Sequence, residues 1–481
     1  MNTKLNEYKT YIYNKKIAVI GFGISNQALL HFLNKCGAYN ISIFDKSTSE
    51  TFVSTCEKLV AEGAISNFFY GENYLSSLAV GQYDIIFRSP IVRFDTPEIA
   101  DCVSKGAVLT SEIETVLALA PCKTYGVTGS DGKTTTTTLI SKFLEAHYKK
   151  TETKIWLGGN IGRPLIELVD EIKPNDRIVL ELSSFQLMDM KISTDVAVVT
   201  NLSPNHLDVH KSYDEYAFAK KSIFAYQNDS GRLIMNALDA KSIEILGDRC
   251  ENVSFFSAYT NTAPSFSSGT AFLTENETEL VYKDDFRKIT LKRDYIRVLG
   301  KFNVENFLAA MSATCDEVSE EDVINVAKEF CGVEHRLEYV RTLEGVRFYN
   351  SSIDSSPKRT ISTLSVFSQK IIMIAGGKDK GISYEEIGPV LCQKVKVLVL
   401  VGPTSDAIEQ SVIKADPNHG ILIIRKTNYD DAVSCAYTHA KEGDTVVLSP
   451  ASTSFDLFKN FEERGKKYKE IVNSLKLKKK T

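Results

Sequence analysis

Residues 126–140, GVTGSDGKTTTTTLI, place Gly129 and Gly132 directly before Lys133 and Thr134. Glycines let backbone N–H groups converge on phosphate oxygens, a helix N-terminus adds partial positive charge, and a Lys reaches terminal phosphates. The Thr134 hydroxyl is placed to ligate the Mg²⁺ that accompanies a triphosphate. The strict G-x-x-x-x-G-K-[ST] pattern is not met, because Val127 holds its first Gly position; the shorter T-G-x-x-G-K-T-T stands instead. A plain Gly-rich turn before a Thr-rich helix is the alternative. It is weakened because strand, loop and helix signals follow in the required order.

Three further side chains suit the same chemistry. Glu181 ends the apolar run in VLELSSFQL. A carboxylate at the carboxyl edge of a parallel strand lies where such sheets bind ligands, and beside a triphosphate its natural task is Mg²⁺ ligation. His206, in NLSPNHLDVH, follows the strand ending at Thr200 and falls at the same edge; a lone His is as readily a packed or solvated residue. Lys220 shares a face with Tyr216, Ile223 and Phe224 if residues 214–227 form one helix. A Lys there must snorkel, pair or lose its charge, and periodicity alone favours snorkelling. A neutral amine near a Mg-nucleotide could also take up CO₂ as a carbamate. Towards the end, Gly376 to Gly381 (GGKDKG) follows a strand, and LSPASTS, ending at Ser454, opens a helix from Phe455. A hydroxyl at a helix N-terminus with a nearby Lys makes a carboxylate clamp; a simple N-cap fits equally well.

The elements that must hold these groups alternate strand and helix, which means parallel buried sheets and an α/β fold. A strand over 16–21 runs into Gly21-Phe22-Gly23-Ile24-Ser25-Asn26, then a helix over 27–34 and a strand over 40–44 ending at Asp45-Lys46. This opens a Rossmann-like unit with an acid where a ribose would be met; Asn26 replaces the third fingerprint glycine. A strand over 83–87 leads into Arg88-Ser89-Pro90. Further strands are expected over 154–157, 177–182 and 195–200, and residues 251–299 read as a small antiparallel insert before a helix over 304–312. From His335 a third unit shows strands over 346–349, 371–375, 397–401, 421–424 and 445–448. Domains are therefore expected over 1–110, 111–333 and 334–481, as 481 residues exceed one hydrophobic core.

Composition excludes several classes. A net charge of −4 gives no electrostatic case for nucleic-acid binding. The nine cysteines are odd in number and scattered without a C-x-x-C pair, which reads as reduced thiols, not a zinc site or disulfide framework. The opening residues lack an apolar leader segment and no run has the length of a membrane span, so a cytoplasmic protein with no membrane partner is expected.

Together TGSDGKTT, GGNIG, ELSSFQL, NHLDVH, YAFAKKSIF, FNVEN, HRLE, GGKDKG and LSPASTSFDLFKNFEERG resemble the Mur ligases through nearly the whole chain. The resemblance implies three α/β domains: a Rossmann-like N-terminal one that reads UDP, a central P-loop ATPase-like one, and a C-terminal Rossmann-like one that binds the amino acid. ELSSFQL and the last block point within the family to D-glutamate addition in peptidoglycan precursor synthesis, with UDP-N-acetylmuramoyl-L-alanine and D-glutamate as substrates and a monomer as the working unit.

Residue by residue, the resemblance implies that Gly129, Ser130, Asp131, Gly132, Lys133, Thr134 and Thr135 cradle ATP. Lys133 and Thr134 would hold phosphates and a first Mg²⁺ with Glu181, and His206 with a carbamylated Lys220 would hold a second. Asn160 would face the UDP-sugar substrate, as would His206. Asn303, with Asn306 beside it, would contact adenine, and Arg336 the phosphates. Ile24, Ser25, Asp45, Lys46 and Ser89 would form the uridine loop. Lys380, Ser454 and Phe461, with Ser355 in place of a common Thr, would form the D-glutamate pocket. A hinge near residues 330–336 would let the nucleotide and amino-acid domains close.

Some positions depart from the family. Its N-D-S-K reads Asn350-Ser351-Ser352-Ile353, with Asp354 and Lys358 the nearest substitutes for the lost charges. Its S-P-G-I reads Ser89-Pro90-Ile91-Val92, Phe302 replaces a common His, and Asn205 replaces an acid. The competing readings are a non-catalytic, regulatory relative and a folylpolyglutamate-type or other Mur ligase.

Overall fold

The computed structural model describes residues 3–204 and 209–477. Three sheets organise them. The first has strands β1 (Ile17–Ile20), β2 (Ile41–Asp45), β3 (Asn67–Tyr70), β4 (Ile85–Arg88) and β5 (Val108–Thr110), in the order β3-β2-β1-β4-β5. All its pairings are parallel. The chain order reverses between β1 and β4, and such a switch point opens a crevice at the strands' carboxyl ends.

The second sheet holds β6 (Lys123–Thr128), β7 (Ile155–Gly159), β8 (Arg177–Glu181), β9 (Val196–Val199), β10 (Arg232–Asn236), β11 (Val253–Ser257), β12 (Gly269–Leu273), β13 (Glu279–Lys283) and β14 (Lys288–Lys292). Their order is β14-β13-β12-β11-β10-β9-β6-β8-β7. Strands β8 and β9 are nearly continuous apolar runs, and β6 is buried from Thr124 to Thr128, as in a sheet covered on both faces. Helix Lys133–Tyr148 buries Leu139, Ile140, Phe143 and Leu144, with Phe143 against Phe307 of helix Lys301–Thr314. That second helix is buried almost all round, which explains its run of alanines and apolar residues.

The antiparallel insert expected over 251–299 is not a separate unit. Strand β11 pairs parallel with both β10 and β12, and only β12-β13-β14 run antiparallel, so 251–299 extends the central sheet to its edge. The helix expected over 214–227 is also broken, into Tyr213–Ala219 and Ser222–Ala225.

The third sheet holds β15 (Glu338–Leu343), β16 (Val346–Asn350), β17 (Ile371–Ala375), β18 (Val395–Val401), β19 (Leu422–Lys426) and β20 (Thr445–Leu448), ordered β15-β16-β20-β17-β18-β19. Only β15 is antiparallel to its neighbour. The chain separates into two compact units: one carries the first two sheets and takes back Lys301–Val326, and the other carries Asp294–Gly300 and the third sheet. Among the described residues no helix is long and apolar enough to cross a membrane.

Candidate active site

The loop between β6 and helix Lys133–Tyr148 is shaped by what its glycines touch. Gly129 has φ +141°, and a Cβ there would lie 1.9 Å from Thr200 Oγ1. Gly132 has φ +81°, and its Cβ would lie 2.3 Å from Asn306 Oδ1. A side chain at either position would meet a close contact at a φ that L residues rarely adopt. Asn201 staples the loop: its carbonyl accepts from Ser130 N at 2.8 Å, and its Oδ1 accepts from Asp131 N at 3.0 Å. These two amides face Asn201, so the convergent N–H donors come from the helix itself. Its first intrahelical bond is Thr136 N to Gly132 O, so the Thr134 and Thr135 amides lie in the N-terminal turn. Lys133 Nζ folds onto the Gly129 and Ser130 carbonyls at 2.9 and 2.8 Å. Asn303 and Asn306 join the same loop, Asn306 Nδ2 donating to Asn303 Oδ1 at 3.2 Å.

Glu181 ends β8 beside this loop and is 2% exposed. Its Oε1 accepts from Asn160 Nδ2 at 2.8 Å, and its Oε2 is buried without a hydrogen-bond donor among the described residues. Gly159 lets the loop carrying Asn160 approach, since a Cβ there would fall 2.1 Å from Glu181 O. Lys220, 1% exposed, does not snorkel; it lies at the break between the two short helices, where it caps the first. Its Nζ donates to Gly129 O at 3.0 Å and sits 4.5 Å from the centroid of the Tyr216 ring. Burial, then the nearby Lys133, drives its amine well below the usual lysine range, against a smaller opposing pull from Glu181. Tyr216 OH in turn meets Ser130 Oγ at 2.9 Å.

An orphaned carboxylate oxygen beside a phosphate-type loop fits a divalent cation. Among the described residues no group of three His, Cys, Asp or Glu is placed to hold a metal ion by itself. His206 and Asn205 lie outside the described residues.

At the first sheet's carboxyl edge, Ile24 and Ser25 start helix Ile24–Lys35, Asp45 ends β2, and Ser89 follows β4. The expected helix over 27–34 thus begins three residues earlier. Asp45 Oδ2 accepts from Phe22 N at 2.5 Å and Oδ1 from Ser47 N at 2.7 Å, knitting two of these loops together. Asn26 is buried, and its Nδ2 donates to Ile20 O and Gly21 O. Ile24 and Lys46 are exposed.

In the second unit, the GGKDKG and SPASTS loops pair: Lys378 N donates to Thr453 O at 2.9 Å, and Thr453 N to Lys378 O at 3.2 Å. This brings the loops carrying Lys380 and Ser454 to one edge. The helix expected from Phe455 begins instead at Phe461, capped by Asn460, so Ser454 sits buried in a turn and caps no helix. Beneath these loops lies Arg464, fully buried. It donates to Ser352 Oγ at 3.0 Å, Ser352 O at 2.8 Å and Ser452 O at 3.0 Å. Ser352 Oγ donates to Phe461 O at 2.8 Å. Ser355 is half-buried on the same loop, while Arg336 and Lys380 are exposed. His335 and Leu337, flanking Arg336, both have positive φ (+64° and +45°). The carboxylate absent at Ser351 reappears three residues on: Asp354 is buried, accepts from Ser449 Oγ at 2.7 Å, and is pushed upward in pKa by burial.

Sequence reasoning missed Asn201, Arg464 and, in the first unit, Arg88 and Arg93. Arg88 closes the buried run IIF directly before Ser89-Pro90, and a charge ending such a run is a readable signal.

Comparisons with known proteins place the chain in a family. A family model described as the Mur ligase middle domain matches residues 127–314, and one described as Mur ligase, glutamate ligase domain, matches 335–452. A UDP-N-acetylmuramoylalanine--D-glutamate ligase of Ruminiclostridium cellulolyticum is 45% identical over 480 residues, spanning 99% of this chain and 100% of its own. One of the same name from Acetivibrio thermocellus is 48% identical over 480 residues, with the same shares. Among solved structures, the UDP-N-acetylmuramate-alanine ligase MurC of Thermotoga maritima shares the fold with TM-score 0.54 at 18% identity, over 96% of this chain and 100% of that one. MurF of Acinetobacter baumannii does so with TM-score 0.54 at 15% identity, over 80% and 90%. With two family models matching over most of its length and full-length relatives at this identity, the chain belongs to the Mur ligase family.

Proposed function

We propose that this protein is an ATP-dependent ligase that adds D-glutamate to UDP-N-acetylmuramoyl-L-alanine in peptidoglycan precursor synthesis. The full-length relatives carry that name. The geometric observation behind the chemistry is the meeting of Lys133, Lys220 and Glu181 around one loop, with a Glu181 oxygen left for a cation.

The substrate's terminal carboxylate attacks the γ-phosphorus of ATP, the bond to the bridging oxygen breaks, and ADP leaves. The D-glutamate amine then attacks the acyl carbon of the acyl phosphate, phosphate departs, and the amine loses a proton. Two anions must approach, so this chain's contribution is positioning and charge neutralisation. Lys133 unfolds from the Gly129 and Ser130 carbonyls onto the terminal phosphates. Helix N–H groups from Lys133 to Thr135 hold their oxygens, and Ser130, Asp131 and Gly132 fix the loop's path. Bound Mg²⁺ would offset the remaining charge; Thr134 and Glu181 would hold one ion, and His206 with carbamylated Lys220 a second. Burial lowers the pKa of the Lys220 amine and so favours its free base, which would attack CO₂, forming a C–N bond and losing a proton to give an anionic carbamate.

The reading assigns Asn303 to adenine and Arg336 to the phosphates. Ile24, Ser25, Asp45, Lys46 and Ser89 take the uridine end, with Asn160 and His206 towards the sugar. Ser355, Lys380, Ser454 and Phe461 take D-glutamate, on domains over 1–110, 111–333 and 334–481. The protein works as a monomer in the cytoplasm. Incubation with ATP, a panel of UDP-sugar precursors and a panel of amino acids, followed by mass analysis, tests it. A single new product from UDP-N-acetylmuramoyl-L-alanine and D-glutamate is expected; a product with another acceptor or amino acid would replace the assignment.

A further inference from the structure

Two arginines bracket the loop that follows β4. The Arg88 side chain is 1% exposed, and its guanidinium meets five partners. Nη1 donates to the carbonyls of Ser89 and Pro90, each at 3.2 Å, and of Val92 at 2.6 Å. Nη2 donates to Phe185 O at 3.1 Å and to Asp189 Oδ1, and Nε donates to Asp189 Oδ2 at 3.1 Å. One buried cation therefore gathers three carbonyls of a four-residue loop and fastens them to the segment that follows Glu181. Turning those carbonyls inward leaves Ile91 85% exposed. The loop also abuts the first strand's loop, since a Cβ on Gly21 would fall 2.6 Å from Ser89 Cβ.

Arg93 closes the other end. It forks onto Asp95 at 2.8 and 3.0 Å and onto Glu215 at 2.7 and 3.1 Å, and it donates to Val209 O at 2.9 Å. Glu215 lies in the short helix that ends at Lys220. The loop after β4 is thus tied at one end to the chain leaving Glu181 and at the other to the chain entering Lys220.

We propose that Arg88 and Arg93 are positioning residues that clamp the 89–92 loop onto the central sheet and thereby set the affinity for the UDP-sugar substrate. The proposal rests on the reading of that loop as the nucleotide-sugar end. A planar fork reaches both carbonyls and a carboxylate at once; a lysine, as a point charge on a flexible stem, satisfies only one side.

The test is a comparison of the full chain with Arg88→Lys, Arg93→Lys, Asp189→Asn and the Arg88→Lys/Asp189→Asn double variant. KM for the UDP-sugar substrate should rise by about tenfold or more in each single variant, while kcat and the KM values for ATP and D-glutamate stay within about threefold. The double variant should be no worse than its worse parent, because both members serve one contact. Equal rises in all three KM values, a fall in thermal midpoint with KM unchanged, or loss of fold in all the variants would assign the arginines to stability and overturn the clamp. Calorimetric titration with UDP separates the two layers. A wild-type chain that does not bind UDP overturns the reading of the loop, and the clamp with it. A wild-type chain that binds UDP no more tightly than the variants overturns the clamp alone.

Discussion

The Lys220 amine donates to the Gly129 carbonyl at 3.0 Å, so a break between two short helices is pinned to the first glycine of the loop between β6 and helix Lys133–Tyr148. The bond holds in one place an amine whose pKa burial lowers and the loop proposed to meet a triphosphate. Lys220→Ala should therefore lower kcat by about a hundredfold or more, as removal of one charge-stabilising group does elsewhere. Short carboxylates should restore part of the activity, and wild-type protein labelled with carbon-13 bicarbonate should show a carbamate resonance that the variant lacks. Full metal binding in the variant with no rescue by short carboxylates would leave Lys220 a packing residue.

Gly129→Ala forces a Cβ to within 1.9 Å of Thr200 Oγ1 at a φ that side chains rarely adopt. A destabilisation of about 1–3 kcal/mol is expected, with a larger KM for ATP. Denaturant titration and ATP kinetics check it; an unchanged midpoint and KM would mean that the loop relaxes freely.

Glu112, 7% exposed, starts the helix Glu112–Leu119, and its Oε1 finds no partner among the described residues. Burial pushes its carboxyl from 4.5 up to about 7, against a weaker opposing bond from the Ile166 backbone. Between those values the unfolded chain releases a proton that the folded chain keeps, so this group's contribution to stability falls as pH rises from about 4.5 to about 7 and is level above. Glu112→Gln should then be more stable than wild type at pH 8, by at most on the order of 3 kcal/mol, and about equal to it near pH 4.5. Thermal midpoints across that range check the sign; a variant less stable at pH 8 contradicts it.

Arg464→Met leaves Ser352 O and Ser452 O without their buried donor. A loss of about 2–5 kcal/mol is expected, with a weakened KM for D-glutamate in protein that still folds. Unchanged D-glutamate kinetics would separate Arg464 from the loops carrying Ser355 and Ser454.

Much of this architecture was legible because buried parallel strands read as apolar runs and glycines mark loops. Glu181 shows the principle: a carboxylate after Ile178, Val179 and Leu180 has few explanations besides a site. The break at Lys220 was not legible. Tyr216, Ile223 and Phe224 keep helical spacing across it, and it arises from tight bonds such as Lys220 N to Ala217 O, which carry no Gly or Pro signature. The segment 251–299 misled because its Ser, Thr and Asn content resembles a separate insert, although Val253 and Phe255 pack into the main core. Ser454 misled because two helix-start signals lie six residues apart, and Asn460, with its Glu463 amide contact, is the one used. Strand β3 escaped notice because its residues are half exposed and lack a clean alternation. Asn201 and Arg464 act through backbone groups distant in sequence, which no local pattern reveals.

The fate of the substrate's carboxylate oxygens tests the acyl-phosphate route most directly. With both oxygens of the L-alanyl carboxylate isotopically heavy, each turnover with ATP and D-glutamate should move one into the released phosphate and leave the other in the new amide. Phosphate released without the label, or no D-glutamyl amide formed, would contradict an acyl-phosphate ligase built on Lys133, Glu181 and Lys220.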